Sequence, residues 1–151
     1  MDYDQYYLFK KITYNEDLNS LLKMTCRYSH RLTPIVIVKT LYRMVDLLDP
    51  TPQDLVCNLL RRAICYLEHR IFELRAQLKS RNVVNILWSL AVIELRTGII
   101  GRGNHTRVIG ILFNLIYHSY LTSGELKVIQ WSHLILPYED RRIYYLSTPY
   151  H

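Results

Sequence analysis

The chain has 151 residues, half of them hydrophobic, with only five Gly and five Pro. This composition is typical of one folded domain with a sizeable core, and it excludes a disordered chain. Lys and Arg number 19 against 13 Asp and Glu, and the formal net charge is +6. The excess lies between Cys26 and Gly110, where 13 basic and 6 acidic residues occur. Such a basic middle favours a polyanionic partner, since most of its cations are Arg and guanidinium pairs well with phosphate.

The cysteines and the longest uncharged stretch exclude several other classes. Cys26, Cys57 and Cys65 have no zinc-ligand spacing, and the last two lie too far apart on one predicted helix to form a disulfide. We therefore expect reduced thiols. The N-terminus has no secretory pattern. The uncharged residues 108–124 end in polar residues, which predicts a buried helix and a turn, with no membrane span.

In chain order, the pattern predicts an irregular aromatic arm over residues 1–14 and then about six helices. The predicted helices are 15–29 with Asn15 as N-cap, 33–48 opened by Thr33-Pro34, 52–76, 81–98, 105–120 and 124–136. Further helix starts are indicated by an approximate capping box from Thr51 to Asp54, a cap at Ser80, and a capping box of Thr122 and Glu125. Gly98 is predicted to end helix 81–98. An aromatic and basic tail, 137–151, completes the chain.

Two helices have the clearest apolar patterns. Helix 52–76 has a seam at Leu60, Ile64, Leu67, Ile71 and Leu74. Helix 81–98 is apolar on most of its circumference, so we expect it to have neighbours on two or more sides. The Gly-rich segment GIIGRGN, residues 98–104, comes next. Because it joins two predicted helices and does not follow a strand, it is predicted to be a plain connector and not a phosphate-binding loop.

Three of the helices begin alike. When Leu32, Leu78 and Leu121 are aligned, at offsets of 46 and 43 residues, the segments after them correspond. Tyr42, Trp88 and Trp131 then fall at one position. We expect the two tryptophans to pack in the core and not to stack on bases. The repeat predicts an all-α fold, a short α-solenoid of stacked helix-turn-helix repeats over residues 15–136 with irregular terminal arms.

The segment NVVNILWSLAVI, residues 82–93, resembles the N-x-L-W-A-L-A first-helix signature of octotricopeptide-type repeats. Related helical repeats occur in heptatricopeptide and FAST-kinase-like proteins, many of which end in a RAP domain; we expect none in the short tail here. Residues 33–42 and 123–131 resemble diverged copies. The resemblance implies an RNA-binding protein of mitochondria or plastids that supports RNA stability, RNA processing or organellar ribosome structure, and here a mitochondrial matrix location.

Nothing in the sequence predicts catalysis. It contains no nucleophile elbow, Walker loop, H-E-x-x-H or paired-carboxylate signature. Glu94 lies late in an apolar helix, where we expect it to be solvated or ion-paired. We therefore expect a non-enzymatic protein with no cofactor, no metal and no small-molecule substrate.

A run of cations could replace the counterions of an RNA backbone. The candidate RNA-binding residues are Lys39, Arg43, Arg61, Arg62, Arg70, Arg75, Lys79, Arg81, Arg102 and Arg107. Of these, Arg75, Lys79 and Arg81 cluster at one predicted turn. Together with these cations, the resemblance implies a structural component of a mitochondrial ribosome that contacts rRNA, and we expect it to dock on neighbouring proteins through its Tyr-rich termini. The alternatives are a protein-interaction scaffold, such as an accessory subunit of a mitochondrial membrane complex, and a helical DNA-binding module.

Overall fold

The computed structural model describes residues 3–102 and 105–137, and these form eight α-helices and no strand. The helices are α1 (Tyr3–Thr13), α2 (Leu18–Tyr28), α3 (Pro34–Leu47), α4 (Asp54–Glu73), α5 (Ser80–Thr97), α6 (Ile99–Arg102), α7 (Thr106–Tyr117) and α8 (Ser123–Ile135). Two 3-10 turns, Ser29–Arg31 and Arg75–Gln77, follow α2 and α4. The all-α prediction is confirmed. The tail predicted over 137–151 lies, after Pro137, outside the described residues.

The prediction of an irregular N-terminal arm is wrong, because residues 3–13 form helix α1. Leu8 and Ile12 are four residues apart and therefore share one helix face, which is buried. This face packs against α3. Asp4 pairs with Arg31 across 2.9 Å, which attaches the start of the helix to the turn after α2. The density of tyrosines concealed this short apolar stripe in the sequence.

Three predicted helix starts are shifted. The N-cap of α2 is Asp17, whose carboxylate accepts the Ser20 N–H at 3.1 Å, while Asn15 accepts the Asp17 N–H instead. Helix α4 begins at Asp54 and not at Pro52, so the predicted capping box of Thr51 and Asp54 does not form. The Asp54 carboxylate instead lies in the first turn, where the helix dipole stabilises its negative charge. The third shift is at Ser80, which is the first helical residue of α5 and not its cap.

Two predicted helix ends are confirmed. The Thr122 hydroxyl accepts the Glu125 N–H at 3.1 Å, and the Glu125 carboxylate accepts the Thr122 N–H at 3.0 Å. Gly98 ends α5 in the left-handed conformation, with φ of +69°, and its N–H donates to the Glu94 carbonyl at 2.9 Å. The absence of a Cβ makes this conformation accessible to Gly.

The chain divides into two compact units between Gln77 and Leu78. In the first unit, α1 packs on α3, and α2 packs on both α3 and α4. The predicted seam of α4 is buried throughout, with Leu60, Ile64, Leu67 and Ile71 at most 1% exposed. Burial of such side chains contributes about 1.5–3 kcal/mol each, so this seam is a main source of the unit's stability.

In the second unit, helix α5 is central. It packs against α6, α7 and α8, as its wide apolar surface predicts. Its Val83, Ile86, Leu87 and Ile93 are at most 1% exposed. The connector after it is partly helical: α6 forms because Ile99 and Ile100 are buried.

The three aligned segments have equivalent starts. Helices α3, α5 and α8 each begin two residues after the aligned leucine, Leu32, Leu78 or Leu121. Within the first unit, helices two apart in chain order pack together, α1 with α3 and α2 with α4; in the second unit α5 packs with α8, which is also two apart when the four-residue helix α6 is left out. This pairing is typical of stacked helix pairs. The α-solenoid as a whole stays a prediction.

Candidate nucleic-acid interface

The outward face of α4 presents the first pair of predicted RNA-binding residues. Because Leu60, Ile64 and Leu67 turn inward, Arg62 is exposed and Arg61 is half-buried at the edge of the apolar face. Burial raises the pKa of the Cys26 thiol on α2, and the positive charge of Arg62 opposes that rise. Arg62 therefore lies close enough to α2 to act on it through space.

Two other predicted residues are held within the fold. The Arg43 Nε donates to the Asn15 carbonyl at 2.7 Å, and the Arg70 Nε donates to the Leu32 carbonyl at 2.9 Å. Each guanidinium also has a carboxylate three residues further along its helix, at 3.8 Å and 3.9 Å. Both Arg side chains therefore join separate elements of the first unit, and they have fewer donors left for a ligand than Arg61 or Arg62.

Two further cations of the first unit lie over aromatic rings. The Lys39 ammonium is 5.9 Å from the centroid of the Phe9 ring. The Arg75 guanidinium is 4.1 Å from the centroid of the Phe72 ring, and its Nη1 donates to the Phe72 carbonyl at 2.7 Å. Arg75 is nevertheless exposed, so its remaining N–H groups face solvent. Of the three residues predicted to cluster at one turn, Arg75 belongs to the first unit, and Lys79 and Arg81 belong to the second.

The start of α5 concentrates positive charge. Lys79 is the N-cap, Arg81 follows in the first turn, and no acidic residue is present in that turn. The Asn82 side chain accepts the Lys79 N–H at 3.1 Å. A cation at a helix N-terminus opposes the helix dipole, at a cost of about 0.3–1 kcal/mol each when exposed. An anion bound there would be attracted by both the dipole and the two side chains.

Arg102 and Arg107 complete the predicted set. Both are exposed, Arg102 at the end of α6 and Arg107 in the first turn of α7, where again no acidic residue occurs. The Arg102 guanidinium lies beside Gly98. Within residues 3–102 and 105–137, no carboxylate lies within ion-pairing distance of Arg61, Arg62, Arg75, Lys79, Arg81 or Arg102.

Sequence reasoning missed two arrangements. The Glu94 carboxylate accepts the Gly101 N–H at 2.8 Å, which joins α5 to α6; nothing in the local pattern indicates this contact. The other is a row of tyrosines and lysines on the outer face of α1. The four-residue spacing of Tyr6 and Lys10, and of Tyr7 and Lys11, was a visible signal once a helix is assumed there.

The two tryptophans of the repeat are both half-buried, Trp88 on α5 and Trp131 on α8. This placement agrees with a packing role at the repeat position. Over the part of the chain that the structure describes, no group of three or more His, Cys, Asp or Glu side chains could hold a metal ion. Among the helices described, none combines the length and apolar character that crossing a bilayer requires.

Comparison of the chain with protein-family models, with curated proteins and with solved structures gives no match. The resemblance to octotricopeptide-type repeats therefore stays a prediction. What bears on function is the placement of the charged and aromatic side chains.

Proposed function

We propose that this protein is a non-enzymatic, RNA-binding helical-repeat protein that serves as a structural component of a mitochondrial ribosome and contacts rRNA in the matrix. The observation that carries the proposal is the start of α5. There Lys79 and Arg81 lie at the positive end of the helix dipole, with no carboxylate in the first turn. The arrangement opposes helix stability in the free protein and becomes favourable when a phosphate binds.

The other cations of the chain support a phosphate backbone as the ligand. Arg61 and Arg62 lie together on α4, and no described carboxylate pairs with either of them. A polyanion replaces its condensed counterions with such side chains, and the counterion release drives binding. Arg43 and Arg70, which contact backbone carbonyls, contribute chiefly to the fold in this proposal.

The ribosomal part of the proposal rests on the sequence resemblance together with the helix pairing inside each unit. Stacked helix pairs form extended surfaces on which a strand of RNA can lie. The rival function is a protein-interaction scaffold within a mitochondrial membrane complex. The exposed tyrosines favour this alternative, since four of them, on or next to α1, are 49–80% exposed. Salt dependence separates the two, because neutral aromatic contacts release no counterions.

The test is the affinity for a structured rRNA fragment, measured by fluorescence anisotropy from 50 to 300 mM salt. We expect tight binding at low salt and a steep loss with salt. Replacement of Arg61, Arg62, Arg75 and Arg81 by Ala should reduce the slope of log Kd against log salt by roughly three, at about 0.7–0.9 per phosphate contact. The matched control replaces the same four residues by Lys, which keeps the charge and should keep most of the slope.

The proposal fails if no RNA binds at low salt, or if the Ala variant binds as the wild type does. A competition between the rRNA fragment and duplex DNA of equal length tests the third possibility. Stronger displacement by DNA than by RNA would indicate a DNA-binding module.

A further inference from the structure

The outer face of α1 carries an alternation of rings and cations that we call the tyrosine–lysine face. Its members are all exposed and lie outside the buried stripe of Leu8 and Ile12. They are Tyr3, Tyr6, Tyr7, Lys10, Lys11 and, directly after the helix, Tyr14. Because Leu8 and Ile12 are buried against the rest of the unit, the face has a rigid backing.

The rings and cations of this face are paired one to one. The Lys10 ammonium is 4.9 Å from the Tyr6 ring centroid, and the Lys11 ammonium is 4.8 Å from the Tyr7 ring centroid. A hydrogen bond with the Tyr6 hydroxyl raises the pKa of Lys10, and one with the Tyr7 hydroxyl does the same for Lys11. Both ammonium groups are therefore fully charged at neutral pH. Both tyrosines are still about half exposed, 50% for Tyr6 and 49% for Tyr7.

The face continues onto α2. Tyr28 and Arg27 act electrostatically on Lys11, so they lie near it. The Arg27 guanidinium is 5.3 Å from the Tyr28 ring centroid, which repeats the pairing of ring and cation. Arg31 also lies over this ring, at 5.8 Å, but its charge is neutralised by Asp4. The cations available on the face are thus Lys10, Lys11 and Arg27.

We propose that the tyrosine–lysine face binds single-stranded RNA, with bases stacked on Tyr6 and Tyr7 and phosphates held by Lys10, Lys11 and Arg27. This inference rests on the proposed RNA-binding function, and it replaces protein docking as the role of these tyrosines. Proteins that bind single strands combine a positive surface with rings on which successive bases stack. The cores of protein–protein interfaces are instead depleted of Lys.

The pairing also explains how the face would change on binding. In the free protein each ammonium covers part of a ring. An incoming base stacks more strongly on the exposed ring than the solvated ammonium does, and it displaces the ammonium outward. The displaced ammonium is then placed to contact the phosphate of the same nucleotide. A duplex lacks free base faces, so it can use the cations of the face but not its rings.

The test compares a 20-nucleotide oligouridylate with a hairpin duplex of similar length by fluorescence anisotropy. Tyr6→Leu/Tyr7→Leu removes two stacking rings and should weaken oligouridylate binding by roughly thirtyfold or more, at about five- to a hundredfold for each ring, and leave the hairpin affinity unchanged. Tyr6→Phe/Tyr7→Phe, which keeps both rings, should bind as the wild type does. Tyr120→Leu, at a fully exposed tyrosine of the second unit, is the matched control and should have no effect.

Lys10→Gln/Lys11→Gln should reduce the salt slope for oligouridylate by roughly 0.7 per lysine, whereas the Leu variant should leave the slope unchanged. The inference alone is overturned if the wild type binds the hairpin but the Leu variant binds oligouridylate as tightly as the wild type. It is also overturned if the wild type binds polyglutamate or phosphatidylserine vesicles more tightly than oligouridylate. If the wild type binds neither the oligouridylate nor the hairpin at low salt, both this inference and the proposed RNA-binding function are contradicted.

Discussion

The Arg70 Nε donates a 2.9 Å hydrogen bond to the carbonyl oxygen of Leu32, and this contact joins α4 to the segment that leads into α3. The Arg70 side chain is 21% exposed, whereas Arg62 on the same helix is exposed. Two arginines eight residues apart, identical in a sequence-based count of cations, thus have different environments. One joins two parts of the fold, and the other faces solvent.

Arg70→Ala should therefore lower the free energy of unfolding by about 1.5–3 kcal/mol, the range for a hydrogen bond that involves a charged group, with the low end favoured because the site is partly exposed. Arg62→Ala should change it by less than about 0.5 kcal/mol. Urea denaturation followed by circular dichroism measures both. An equal loss in the two variants would contradict the division of roles.

Gly98 and Gly110 form a matched pair for backbone effects. Gly98 has φ of +69°, so Gly98→Ala should destabilise the protein by about 1–2 kcal/mol. Gly110 lies inside α7, and a Cβ there would meet nothing within 4 Å. Gly110→Ala should therefore stabilise the protein by about 0.5–1 kcal/mol through helix propensity and reduced entropy of the unfolded chain. Thermal unfolding should move in opposite directions for the two variants, and a shift in the same direction would be inconsistent with these local structures.

His133 should make stability depend on pH. Burial lowers the pKa of His133 below 6.5, and its ring contacts Phe113 at a centroid distance of 5.9 Å. As pH falls through 6.5, the unfolded chain takes up a proton that the folded chain resists, so stability is present at higher pH and is lost on acidification. The fall in Tm from pH 7.5 to pH 5.5 should be smaller in His133→Gln than in the wild type. Identical falls would show that His133 does not carry this dependence.

The long apolar patterns were sufficient to predict the all-α class and most of the helices. The seam of α4 and the wide apolar surface of α5 determined both helices, since burial of those residues dominates their energetics. Helix α1 was missed because only Leu8 and Ile12 mark its buried face, and its stability depends on contact with α3. The start of α2 was misplaced because Asn15 and Asp17 are equally good caps, and local sequence does not choose between them.

The candidate site was less predictable than the fold. Net charge and the count of Arg residues indicated a polyanionic partner, but they did not reveal which guanidinium groups contact backbone carbonyls. Arg43 and Arg70 each bond to a residue 28 or 38 positions away, and such contacts depend on tertiary packing. The rings and cations of α1 could be seen as a surface only after that segment was known to be a helix.

Sedimentation of the native protein through a sucrose gradient of mitochondrial extract tests the central claim most directly. We predict that the protein sediments with a ribosomal subunit, that ribonuclease or high salt moves it to the top of the gradient, and that the Arg61, Arg62, Arg75 and Arg81 Ala variant stays at the top. Sedimentation that is independent of ribonuclease, or with a membrane complex and no rRNA, would contradict the account.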